Sequence, residues 1–220
     1  MSIEMIFKLL APIAIGIIFL IALIGVMFFK RVSGDLKIII IYFWTVAVME
    51  LSSLFIAGDN LLFMPLSAIV DLTLLSVLYL RYMLLRGKYQ YILIGLVGIG
   101  IVFVFLDLIQ VINDPMGHVF YGAISASLII ILFSIIYFIQ SALFIKVKVS
   151  DKRLSINVLF FVLYNINLLF ILSINFLISE NVDLVSYFWI IRLFINITIN
   201  IGLGYLIWKH GRTPKISQSA

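Results

Sequence analysis

Seven stretches of this chain are apolar for about 20 residues or more, the length an α-helix needs to cross a hydrocarbon core about 30 Å thick. They run approximately over 6–29, 37–57, 62–85, 90–112, 119–145, 154–178 and 184–208. In lipid no water bonds the backbone, so a crossing segment closes its hydrogen bonds within a helix or around a closed barrel. No apolar–polar alternation of period two runs through these stretches, which excludes the barrel. The expectation is an all-α polytopic membrane protein, one seven-helix transmembrane domain over residues 1–220. Composition agrees: 65% of residues are hydrophobic and 11% charged, against about 25% charged in soluble domains.

The first apolar run is too long for the core of a signal peptide, and no small-residue cleavage pattern follows it, so it reads as a retained helix. The formal charge of +5 does not point to nucleic acid, because the basic residues cluster between apolar runs instead of lining one amphipathic stripe. Lys30, Arg31 and Lys37 lie between the first and second runs, Arg81, Arg86 and Lys88 around the third connection, Lys146, Lys148, Lys152 and Arg153 around the fifth, and Lys209, Arg212 and Lys215 after the seventh run. The other connections carry Asp59, then Asp107, Asp114 and His118, then Glu180 and Asp183. Basic residues on alternate connections predict an N-out, C-in orientation. Tyr89, Tyr91, Tyr187, Trp189 and Trp208 lie near span ends and read as interfacial anchors.

Leu51–Asn60, LSSLFIAGDN, returns 121 residues later as Leu172–Asn181, LSINFLISEN. Sliding the chain by that offset lays spans one to three on spans five to seven without a gap and leaves span four as a connector. A parallel 3+1+3 internal repeat is therefore expected, its halves related by an axis along the membrane normal. The same offset lays Asp71 on Arg192.

Charges inside a span are costly unless they face the bundle interior and find partners, so each is a functional candidate. Glu50, Asp71 and Arg192 are the clear cases. At 1.5 Å per residue they lie about 10, 14 and 12 Å below the outer ends of their spans, in one layer. Facing inward, Asp71 and Arg192 are expected to meet as carboxylate and guanidinium, with Glu50 leaving a surplus negative charge for a proton, a cation or a ligand amine. Asn196 and Asn200 follow Arg192 at i+4 and i+8. Span six puts Asn157, Tyr164 and Asn175 on one face with Asn165 and Asn167 flanking, and span three adds Ser67 and Tyr82 on the Asp71 face. The candidate ligand-binding set is thus Glu50, Asp71, Arg192, Asn196, Asn200, Asn167, Tyr164, Tyr82 and Ser67. Interhelical amides also serve simply to hold helices together, so the polar residues admit both readings. Gly95, Gly98, Gly100, Gly202 and Gly204 read as sites of close helix contact.

Enzyme signals are weak. With no cysteine, thiolate catalysis and thiolate metal sites are excluded. A membrane zinc hydrolase needs several converging ligands, whereas His118 and His210 are the only histidines and fall on opposite sides. Asp107, Asp114 and His118 read as a solvated turn around Asn113-Asp114-Pro115. No lysine lies mid-span in the seventh helix to hold retinal as a Schiff base. No catalytic residue, metal or cofactor is expected; a lipid-modifying reaction resting on Glu50 and Asp71 is the minority alternative.

At Asp71-Leu-Thr-Leu-Leu-Ser-Val-Leu-Tyr79, and from Phe188-Trp-Ile-Ile-Arg192 through Asn196, Asn200, Tyr205 and Trp208, the chain resembles small uncharacterised seven-helix integral membrane proteins of Bacteroidetes-type bacteria. Those proteins usually carry Glu at the position of Asp71 and His at that of Arg192. The resemblance implies a multi-pass protein of the bacterial inner membrane and assigns no activity. The 3+1+3 plan is similar to that of SWEET-type sugar transporters, whose prolines in spans one, two, five and six are matched only by Pro12. The expected function is binding of a small polar or charged ligand in an intramembrane pocket of the outer half, for sensing or transport. The alternative is an interaction subunit docking a membrane or cytoplasmic protein. Membrane lipids are partners in every case.

Overall fold

A computed structural model describes residues 3–55, 62–84, 87, 90–113, 120–143, 150–180 and 182–212. Seven helices make up nearly all of it: α1 (Ile3–Phe28), α2 (Gly34–Phe55), α3 (Phe63–Leu78), α4 (Gln90–Asn113), α5 (Tyr121–Leu143), α6 (Asp151–Glu180) and α7 (Val182–Arg212). Each is long and apolar enough to cross a membrane, α3 together with a π-helical turn at Tyr79–Met83 that prolongs it. Among the described residues there is no strand.

Helices α6 and α7, 30 and 31 residues long, outrun their apolar stretches. The extra turns are polar and suited to helix ends: Asp151 sits in the first turn of α6 and Lys209 and Arg212 in the last turn of α7, where their charges complement the helix dipole.

Each helix packs on its chain neighbours, α7 closes onto α1, and α3 also packs on α5. The result is a ring in the order α1, α2, α3, α5, α6, α7, with α4 outside it, bridging α3 and α5. The buried residues of α4 explain its place. Leu93, Gly100, Val104, Asp107 and Val111 form one narrow stripe, spaced by 3, 4 or 7 residues as in a helix with a single seam. Most of its other residues are exposed apolar side chains.

Glycines set several of the close approaches. A Cβ on Gly204 would meet Ile21, and one on Gly211 would meet Phe28, so two glycines seven residues apart let α7 lie against α1. A Cβ on Gly202 would press on Leu159, and one on Gly100 on Ile129 and Leu72. Gly95 and Gly98 differ from the expectation: nothing lies within 4 Å of either, and they face outward.

The described basic helix ends gather at one end of the bundle. There Lys152 at the start of α6 lies 2.7 Å from Asp35 at the start of α2, and Tyr82 in the π-turn lies against Gly34. The expected corners at Asp59, Asn60 and Asn181, the turn residues Asp114 and His118, and Arg86, Lys88, Tyr89, Lys146, Lys148 and Lys215 lie outside the described residues, as do the side chains of Asn175, Glu180 and Asp183.

Candidate functional site

The inward direction of the three span charges follows from the stripes that carry them. Glu50 continues the buried row Leu36, Ile39, Phe43, Ala47 of α2. Asp71 lies between Ala68 and Leu75 on the buried face of α3. Arg192 and Asn196 lead into Ile199, Leu203 and Ile207 on α7. In the ring order, α3 stands opposite α7 and α2 opposite α6. All three charged side chains are half-buried, and Arg192 is within electrostatic reach of both Asp71 and Glu50.

The expected carboxylate–guanidinium pair does not form. Among the described residues no salt bridge joins Arg192 to Asp71 or Glu50. Instead Arg192 donates from Nε to Asn167 Oδ1 at 3.0 Å, and its guanidinium lies 4.7 Å from the Phe170 ring centroid and 5.1 Å from that of Trp189. The two rings meet edge to face at 4.6 Å. A guanidinium is planar and weakly hydrated, so an aromatic corner plus one amide oxygen holds it where a lysine would not be held. Trp189, read from the sequence as an interfacial anchor, packs against Arg192 and Phe170.

Asp71 has other company. The hydroxyls of Tyr42 from α2 and Tyr164 from α6 approach its carboxylate and each other. Tyr164 is 2% exposed, yet its hydroxyl, close to Asp71 and Tyr42, closes no hydrogen bond of ordinary length and angle. The side-chain oxygen of Asn196, one turn from Arg192, is likewise buried without a partner. Such groups are uncommon in native interiors, because an unbonded buried polar atom costs about 1–3 kcal/mol.

The rest of the expected set divides. Asn167 is the Arg192 acceptor, Asn200 is half-buried near Asn196 on α7, and Ser67, one turn from Asp71, donates to Met64 O of its own helix at 2.8 Å. Tyr82 does not belong to the site: it lies three turns away at the opposite end of α3, packed on Gly34 and beneath Arg81. Asn165 bonds its own helix at Phe161 O. Asn157 is wholly buried in a separate network. The Tyr79 hydroxyl reaches Ser134 Oγ at 2.7 Å and donates to Asn157 Oδ1 at 2.8 Å, while Asn157 Nδ2 donates to Ser134 O at 3.2 Å. Three helices are tied there with the linking polar atoms satisfied, which is the structural role for buried amides.

Two acids are buried against expectation or without one. Asp107, expected in a solvated turn, is 1% exposed, and its Oδ2 accepts from Gly122 N at 2.6 Å. Gly122 is in the first turn of α5, so a carboxylate of α4 caps a neighbouring helix at its positive end. Asp35, also 1% exposed, accepts from Lys152 and Arg153 of α6 and from Leu36 N. Both are polar joints between helices, and neither bonds to Glu50, Asp71 or Arg192 among the described residues. Among the described residues no group of three or more His, Asp or Glu side chains is placed to hold a metal. Comparison with protein-family models, with curated proteins and with solved structures finds no match for the chain.

Proposed function

We propose that the protein binds a small polar ligand carrying both charge signs within the membrane, among Arg192, Asp71 and Glu50, either to sense it or to transport it. One observation carries this reading: a guanidinium and two carboxylates lie on the buried faces of three ring helices with no ion pair between them among the described residues, while the Tyr164 hydroxyl and Asn196 oxygen close no well-formed hydrogen bond. Residues selected only for packing would neutralise one another, since burying unpaired charge is strongly unfavourable. A zwitterion supports all of these groups at once. Its anionic end suits Arg192, held flat by Phe170 and Trp189, and its ammonium suits Asp71 and Glu50 with the tyrosine hydroxyls. Tyr42, Phe170 and Trp189 thereby join the candidate set.

The orientation with the N-terminus outside, in a bacterial inner membrane, belongs to the same proposal and is supported by the basic helix ends gathered at one end. So does the internal repeat. Exchanging α1–α3 with α5–α7 turns the α1–α2 seam into α5–α6, α2–α3 into α6–α7 and α3–α5 into α7–α1, and all six are packed seams.

The test is thermal stability of the purified protein in lipid nanodiscs against a panel of amino acids, betaines, amines and sugars. The expected result is a rise in Tm with a zwitterion, lost in Arg192→Ala and in Asp71→Asn while each variant keeps its ligand-free helical fold. Stabilisation by sugars that both variants retain would refute the proposal. A second reading, an interaction subunit whose polar groups fix helix register, is favoured by the closed Tyr79, Ser134 and Asn157 network. It predicts a stoichiometric partner on mild detergent extraction and no ligand response.

A further inference from the structure

On the outer surface of the bundle, at its basic end, a groove of about 680 Å³ opens between α1 and α2. Its walls are Val26, Met27, Ile40, Ile41, Trp44 and Thr45, and Lys30 and Arg31 line the end toward the α1–α2 connection. The helices touch directly where Gly25 admits Ile40, which gives the groove a closed floor. Its rims are exposed apolar side chains: Val26 is 54% exposed, Met27 76% and Ile41 40%. Thr45 spends its hydroxyl on Ile41 O at 3.0 Å, so it adds no open donor to the wall.

The charges at the mouth are exposed. Neither Lys30 nor Arg31 pairs with an acid among the described residues. Asp35, the acid nearest to them in the chain, is committed to Lys152 at 2.7 Å and to Arg153. Lys37, lying 5.4 Å from the centroid of the Phe29 ring, adds a third positive charge at the same end. An apolar trough facing lipid and ending in exposed cations matches a molecule with an acyl chain and an anionic head, because basic pockets between spanning helices favour such heads.

We infer that the α1–α2 groove is a binding site for an anionic phospholipid, its acyl chain along the apolar walls and its phosphate at Lys30 and Arg31. The site is separate from the Arg192 layer. It rests on the membrane-spanning reading of the helices and not on the ligand proposed above.

The experiment uses the full chain purified in mild detergent and native mass spectrometry, with phosphatidylglycerol and phosphatidylcholine of identical acyl chains as probes. Phosphatidylglycerol is expected to be retained at one per chain in preference to phosphatidylcholine. Lys30→Gln with Arg31→Gln, both at exposed positions, should weaken retention at least about tenfold, since each juxtamembrane cation contributes roughly fivefold. Ile41→Trp, which fills the trough and leaves the charges, should weaken it too. Lys209→Gln with Arg212→Gln removes the same charge at the same end and should leave retention unchanged. Equal retention of the two lipids, equal losses in the two double variants, or undiminished binding in Ile41→Trp would each overturn the inference. Displacement of the lipid by millimolar glycerol 3-phosphate would assign the cations to a free phosphate and overturn it as well.

Discussion

Adding one methyl group at Gly122 tests the α4–α5 joint directly. A Cβ there would sit 2.5 Å from Val104 Cα and 2.8 Å from Asp107 Oδ2. The first of these is backbone and cannot turn aside, so α4 and α5 must separate. Separation stretches the 2.6 Å bond from Gly122 N to Asp107. Overpacking costs about 1–3 kcal/mol, and a weakened bond to a charged acceptor part of another 1.5–3 kcal/mol or so. Together they place Gly122→Ala about 2–4 kcal/mol below wild type. Gly100→Ala meets only the tips of Ile129 and Leu72, which can rotate, so about 1 kcal/mol is expected. Gly98→Ala meets nothing within 4 Å and should be neutral or gain up to about 1 kcal/mol from helix propensity. Equilibrium unfolding of the three variants in mixed micelles, followed by circular dichroism, reads the order. If Gly98→Ala were as harmful as Gly122→Ala, glycine would matter here for backbone freedom and not for contact, and the reasoning would fail.

Tyr79→Phe removes the hydroxyl that joins Ser134 to Asn157 and should lower stability by about 1–2 kcal/mol, given about 0.6 kcal/mol per interhelical bond in membranes; Tyr205→Phe, on an exposed face, should change nothing in the same assay. Asp35→Asn strands the Lys152 cation and should cost about 3 kcal/mol, whereas Lys152→Gln should cost less because Arg153 remains; equal losses would argue against the pairing. Arg192→Lys keeps the charge but loses the Nε donor and the flat face, so ligand stabilisation should vanish and Trp189 emission should shift; an unchanged Tm response to the zwitterion would contradict the role given to the aromatic corner.

Hydropathy made the seven crossings legible, because a span must be apolar over its whole length whatever it packs against. It also located Glu50, Asp71 and Arg192, whose inward faces follow from the buried rows they extend. Of their surroundings, Asn167, Tyr164 and Asn196 were legible as polar residues on facing stripes, but the aromatic company was not. Tyr42 is one aromatic among many apolar residues on α2, and only the ring closure that sets α2 opposite α6 brings it to Asp71 and Tyr164. Trp189 sits where an interfacial anchor would, and its inward turn depends on Phe170 from another helix. Asp107 and Asp35 lie near helix ends, where sequence favours a solvated acid; a neighbouring helix start in one case and two cations from α6 in the other make burial tolerable. Tyr82 shares a helical face with Asp71, but three turns of rise carry it to the far end, which periodicity alone does not weigh.

The outlying position of α4 bears on how such a bundle can move. It straps the α3–α5 seam from outside and is pinned to α5 by Asp107, while among the described residues no helix straps the α1–α7 seam, which closes on Gly204 and Gly211. Any rocking of one three-helix half against the other therefore pivots on the strapped flank and gapes on the unstrapped one.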